Sequence, residues 1–99
     1  MENILLEPSE NGQQAFVIRD GDEKLAEMVI KVSGNTMSVL HTEVAPEAEG
    51  KGLAKVLLKE MVDHSRQQQL KVIPLCTFVL AQFKRHPELY GDIWERSGS

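Results

Sequence analysis

The sequence predicts an α/β domain: an antiparallel meander of strands, then helix, strand and helix, giving a mixed sheet with helices packed on it. Three observations predict it. Apolar residues in the first half alternate at period two, as in Ala26, Met28, Ile30 and Val32. After Gly50 the spacing becomes helical. A short apolar run, Leu70 to Cys76, then separates that helix from a second one.

Each element has its own signal. Gln14–Arg19 reads as a strand closed by the turn Asp20-Gly21-Asp22. Lys24–Val32 is the second strand, ended by Ser33-Gly34-Asn35, and Thr36–Val44 is the third. Links this short force neighbouring strands to run antiparallel. From Gly50 to Gln69, Leu53, Leu57, Met61 and Ser65 form a helical stripe, widened by Ala54, Leu58 and Val62. Lys51, Lys55, Lys59, Asp63 and Arg66 fall mostly on the other face. Lys71–Cys76 is too short for a helix and reads as a buried strand, parallel to the third because a helix joins the two. Thr77 is positioned to cap a helix over Phe78–Arg85, which Pro87 should stop at His86. Glu88–Ser99, with Tyr90 and Trp94, should cover the core before fraying.

Bulk properties set the bounds. A chain of 99 residues with 41% hydrophobic and 26% charged residues is expected to be one domain, 1–99, with one modest core. A net charge of -4 supplies no global field for nucleic acid. The single cysteine, Cys76, fits a reducing compartment. Met1–Glu7 has no basic start, and no stretch approaches the roughly 20 apolar residues of a membrane span. A cytoplasmic protein with no membrane or nucleic-acid partner, monomeric or weakly dimeric, is expected.

The main chemical signal is Glu49-Gly50-Lys51-Gly52-Leu53-Ala54, between a strand and a long amphipathic helix. A helix N-terminus offers unpaired N–H groups and a positive dipole end. Glycines allow a pyrophosphate close to the backbone, and Lys51 and Lys55 add charge. Alone, such a loop reads equally as a flexible helix entry with solvated lysines. It lacks the Gly-Lys-Ser/Thr of a P-loop and the third glycine of a dinucleotide fingerprint.

In context, the strand, Val44-Ala45-Pro46, the glycine loop and the long helix resemble the acetyl-CoA loop of the GNAT N-acetyltransferase superfamily. The superfamily pattern is Gln/Arg-x-x-Gly-x-Gly/Ala. Gly52 and Ala54 match its last two fixed positions, and Glu49 departs from the first. His41-Thr42-Glu43-Val44, Val72-Ile73-Pro74-Leu75-Cys76, Phe78 and His86-Pro87 are similar to a minimal subfamily of about this chain's length. The resemblance runs from Gln14 to Tyr90. It implies a GNAT-like fold, acetyl-CoA as cofactor and a small-molecule or protein amine as acceptor. It implies cofactor contacts from Val44, Glu49, Gly50, Lys51, Gly52, Leu53, Ala54, Lys55 and Cys76. Larger members carry two helices between their first strands and a C-terminal hairpin. Here only Asp20–Glu23 separates those strands, so the acceptor side is reduced.

The resemblance also sets His41-Thr42-Glu43-Val44 on one wall of a gap between strands, with Leu75-Cys76 across from it. Amine acetylation needs a base for the acceptor. His41 and Glu43, two residues apart on one strand face, are the candidates, against readings as sheet residue and solvated carboxylate. Cys76, before a helix and expected within reach of a histidine, can accept acetyl by thioester exchange. Its ordinary reading is a small buried hydrophobe. Tyr90 is a candidate general acid. His64 is expected to be exposed, His86 to sit at a helix end, and Lys84 and Arg85 to be helix-end charges. Phe16, Phe78, Phe83 and Trp94 are expected in the core. No metal ligand set is expected. Two functions follow: an acetyl-CoA-dependent N-acetyltransferase, or an acetyl-CoA sensor or carrier self-acetylated at Cys76 without a free acceptor. A small interaction domain with a vestigial loop is a third.

Overall fold

The computed structural model describes residues 3–96 of the 99. Strands β1 (Asn3–Pro8), β2 (Gln14–Asp20), β3 (Glu23–Ser33) and β4 (Thr36–Val44) form an antiparallel meander. Helix α1 (Leu53–Gln67) then leads to β5 (Lys71–Pro74), which pairs parallel to β4. Helix α2 (Thr77–Arg85) and a single turn, α3 (Pro87–Tyr90), complete the order. The sheet order is β1-β2-β3-β4-β5, a mixed sheet as expected. The edge strand β1 was not anticipated. The final segment adds a short parallel bridge to β5, where Val72 pairs with Trp94. Residues 97–99, where fraying was expected, lie outside the described region.

One sheet face carries Phe16, Ile18, Met28, Ile30, Met37 and Val39, all buried, and packs with Leu57, Leu58, Met61 and Val62 of α1. Burying each such side chain contributes about 1.5–3 kcal/mol before the entropy of ordering it. Val79 and Phe83 of α2 complete this core. Tyr90 stacks on Phe83 at 4.9 Å, and Trp94 meets the same ring edge-on at 5.7 Å, so the C-terminal segment covers the core as expected. Arg66 fastens it by a two-pronged ion pair to Asp92 at 3.0 and 3.1 Å. That guanidinium holds the Asp92 carboxyl below its ordinary value. The opposite face has a smaller cluster, Ala15, Val17 and Val29 with Leu40 beside it.

Two irregularities shape the site. The β3–β4 register shifts at Val29/Ile30, so that Val29 faces His41 while Ile30 faces Val39. Leu40 is thus the extra residue of a bulge, and a bulge reverses the facing of the residues beyond it. The β4–β5 ladder ends at the pair Val39–Pro74, where proline has no N–H to continue it. Beyond that pair the strands separate, and β5 stops two residues short of the predicted Cys76.

Several local expectations need correction. Helix α1 begins at Leu53, so Lys51 lies outside it. Cys76, not Thr77, is the residue before α2, and no side chain caps that helix. His64 is half-buried, edge-on to Phe16 at 5.4 Å. Helix α2 ends at Arg85 as expected, and the unanticipated single turn α3 then opens at Pro87. Among the described residues, no helix is long and apolar enough to cross a membrane.

Candidate functional site

The chain leaves β4 through a 3-10 turn at Pro46–Ala48, and the buried Ala48 pins that turn to the core. The Glu47 carboxylate hydrogen-bonds the Glu23 carboxyl, which is pushed up by that contact and by the Glu47 charge, while Lys51 opposes the shift. The Ala45 amide donates to the Leu25 carbonyl at 2.8 Å and ties the chain before this turn to β3. Gly50 and Gly52 both adopt left-handed backbone, with φ 87° and 74°. Side chains other than glycine rarely adopt it. Gly52 is the residue before α1, no side chain caps the helix, and its first turn holds no acidic residue. The first N–H groups of α1 therefore present a positive dipole end without a side-chain cap or a first-turn carboxylate. An added Cβ at Gly50 or Gly52 would meet no protein atom within 4 Å, so the space before the helix is open.

That space is the mouth of a cleft of about 470 Å³ lined by Val44, Ala48, Glu49, Gly50, Gly52, Leu53, Ala54, Lys55 and Phe78. The structure thus gathers seven of the nine anticipated cofactor residues. Leu53 is in the core, so its backbone faces this function while its side chain packs. Lys51 is exposed in the loop and Cys76 is buried, and neither lines this cleft. Phe78, expected in the core, is half-buried and forms part of the wall. Its place two residues after Cys76, on the first turn of α2, is the signal that could have marked it.

Cys76 sits at the base of the gap. Its amide donates to the Val39 carbonyl at 2.9 Å. Its Sγ lies 3.3 Å from the Thr42 hydroxyl across the gap. The anticipated histidine is not that partner. His41 and Glu43 do share a face, with Nε2 3.8 Å from Oε1, but it is the opposite face of β4. There the register sets Glu27 directly across from Glu43. The donor atoms of Glu27, His41 and Glu43 lie within 4.8 Å of one another. A second cleft of about 220 Å³ opens beside them, lined by Lys24, Leu25, Ala26, Glu27, Glu43, Val44, Ala45 and Pro46. Val44 lines both clefts. Tyr90 is stacked on Phe83 under the C-terminal segment and lines a groove between α1 and α2, not either cleft. His86 ends α2, 3.6 Å from Glu88, in the same groove.

Comparison with known proteins adds three findings. A family model described as GCN5-related N-acetyl-transferase matches residues 15–93. A GCN5-like protein from Staphylococcus aureus, assigned as an N-acetyltransferase and solved in solution, is 30% identical. It superposes with a TM-score of 0.66 over 96% of this chain and 91% of its own. More distant in sequence is a ribosomal-protein-alanine N-acetyltransferase from Brucella melitensis biovar Abortus 2308, 18% identical. Its TM-score is 0.61, over 87% of this chain and 64% of its own, a likeness of fold alone. No curated protein matches the chain.

Proposed function

The chain belongs to the GCN5-related N-acetyltransferase family, and we propose that it holds acetyl-CoA on the Gly50–Lys55 loop and transfers the acetyl group to a cationic amine. The observation that carries this reading is the uncapped N-terminus of α1, framed by two left-handed glycines over open space and opening on a cleft walled by Val44 at the end of β4 and Phe78 at the start of α2. Backbone N–H groups so aimed suit a pyrophosphate. Lys55 adds a charge at the rim, and Val44 and Phe78 offer an apolar wall to the pantetheine arm.

The amine enters from the other side of β4. Glu43 is exposed and faces Glu27, whose carboxylate is half-buried and paired with Lys24 at 2.9 Å. An ammonium group placed beside Glu43 meets a carboxylate that no lysine or arginine holds among the described residues. Glu43, with His41 beside it, takes one proton from the ammonium, and the neutral amine nitrogen then attacks the thioester carbonyl. The C–N bond forms, the C–S bond breaks, and the second proton lost by the nitrogen passes to the departing sulfur, so that CoA leaves as its thiol. Val44 lines both clefts, which suits a reaction of two substrates approaching from opposite sides of the end of β4.

Free CoA thiol released from acetyl-CoA, with and without a series of amines, tests the proposal. Release should require an amine and should favour cationic acceptors over neutral ones. No release with any amine, and no acetyl group on the protein, would refute it. A second reading is favoured by Cys76 at the base of the gap: an acyl-carrying module in which acetyl rests on that thiol. It predicts acetyl-Cys76 without turnover. Glu49 supplies a further check. Its exposed carboxylate lines the cofactor cleft, so Glu49→Gln should tighten acetyl-CoA binding by up to about fivefold at low salt, less at high salt. Weaker binding on titration would mean that Glu49 organises the loop instead.

A further inference from the structure

We propose that Lys24 sets the charge of the acceptor: it cancels Glu27, so that the cleft beside Glu43 takes a small amine with one ammonium group and an apolar body, and rejects diamines. The inference rests on the reading that an amine is acetylated beside Glu43, and it names the class of that amine. Its observation is a second bulge. Ile18 pairs with Ala26 but Arg19 pairs with Lys24, so Leu25 is an extra residue of β3. On an unbroken strand, residues three apart face opposite sides. The bulge brings Lys24 to the side of Glu27, where its Nζ lies 2.9 Å from Oε1. The Leu25 side chain stays buried in the core, and its carbonyl accepts from the Ala45 amide at 2.8 Å.

The bulges at Leu25 and Leu40 thus deliver Lys24, Glu27 and Glu43 to one cleft of about 220 Å³. No other charged side chain lines it, so two carboxylates and one ammonium leave a single negative charge. The remaining walls, Leu25, Ala26, Val44, Ala45 and Pro46, bring only apolar side chains. The neighbouring charges are engaged elsewhere. Arg19, opposite Lys24, is held by Glu7 at 2.9 and 3.0 Å. Glu23 and Glu47 bond to one another outside the lining. His41 stands 3.8 Å from Glu43 and is not part of the wall. One ammonium beside Glu43 therefore leaves the lining neutral. A second would be repelled by Lys24 and would lose water against apolar walls without a free carboxylate to meet. Removing the Lys24 charge frees Glu27 and makes the same cleft fit a dication.

The test compares n-butylamine with the diamine of the same chain length, as acceptors for wild type, Lys24→Met and Lys24→Arg, with CoA release as the readout. Wild type should prefer the monoamine in kcat/KM. Lys24→Met should move the preference toward the diamine by about fivefold at low salt and less at high salt, the size of one partly exposed charge a few ångströms away. The change should lie in the KM for the diamine, with kcat for the monoamine little altered. Lys24→Arg should keep the wild-type preference. General damage to the fold would lower both amines alike and leave their ratio unmoved. A wild type that prefers the diamine, an unchanged ratio in folded Lys24→Met, or an equal change in Lys24→Arg overturns the proposal. Titration of each amine against the Glu27 and Glu43 amide signals, without acetyl-CoA, makes the same comparison free of turnover. No CoA release with either amine, together with tighter monoamine binding that Lys24→Met abolishes, would remove the transfer reading and leave the role of Lys24 standing. Equal binding of both amines in wild type would overturn that role by itself.

Discussion

Gly52→Val is expected to weaken acetyl-CoA binding by at least about tenfold while leaving a folded protein, because hydrogen bonds to a charged phosphate contribute more than neutral ones. The substituted side chain would meet no protein atom within 4 Å, so the core is not disturbed. It would stand in the open space before α1, where the pyrophosphate is proposed to lie. Two effects add. The branched side chain obstructs the anion, and the φ of 74° becomes strained, so the loop relaxes and the N–H groups lose their aim. Gly34→Val separates the two. Gly34 has φ 61° and equally open surroundings, but it sits in the β3–β4 turn, outside the cofactor cleft. It should show a similar loss of thermal stability and unchanged affinity. Equal loss of affinity in both variants would mean that general strain, not the site, is responsible.

Glu43→Gln should lower the amine-dependent rate about a hundredfold with little change in acetyl-CoA affinity, the range typical for removal of a general base. The amide keeps the shape and loses the proton acceptor. It also removes one of two facing carboxylates, so the KM for a cationic amine should rise. The deficit should shrink as pH rises toward the pKa of the amine, since an acceptor that is already neutral needs no base. A pH-independent deficit would make Glu43 a binding residue only. An unchanged rate would move the base elsewhere, His41 being the neighbour at 3.8 Å. Activity that survives Glu43→Gln but is lost in Cys76→Ala would favour the acyl-cysteine route.

The order and kind of most elements were legible because local pattern and tertiary burial agree. Alternation through Ala26, Met28 and Ile30 and the stripe through Leu57 and Met61 describe faces that are buried, although Val32, the last residue of that alternation, is exposed. The left-handed glycine turns and the helix entry could be read from residue type. Other features depended on partners. Strand β1 is an edge strand with Leu5 and Leu6 both exposed, so its apolar residues do not mark a buried face. The bulge at Leu40 bears neither glycine nor proline, and only pairing with β3 reveals it. That one residue decides that Thr42, not His41 or Glu43, meets Cys76. Phe78 reads as core in any helical pattern, and only the separation of β4 from β5 turns it toward a cleft. The pairing of Glu27 with Glu43 required the shifted register as well.

The central claim is that acetyl-CoA is held by the Gly50–Lys55 backbone with its thioester end toward the β4–β5 gap. Backbone amide shifts of the labelled protein, monitored while acetyl-CoA is added, test it most directly. The account predicts the largest changes at the amides of Gly50, Gly52, Leu53 and Ala54, smaller ones at Thr42, Val44, Cys76 and Phe78, and none along β1. Saturable changes confined to other surfaces, or no change at the glycine loop at concentrations that saturate the protein, would contradict it.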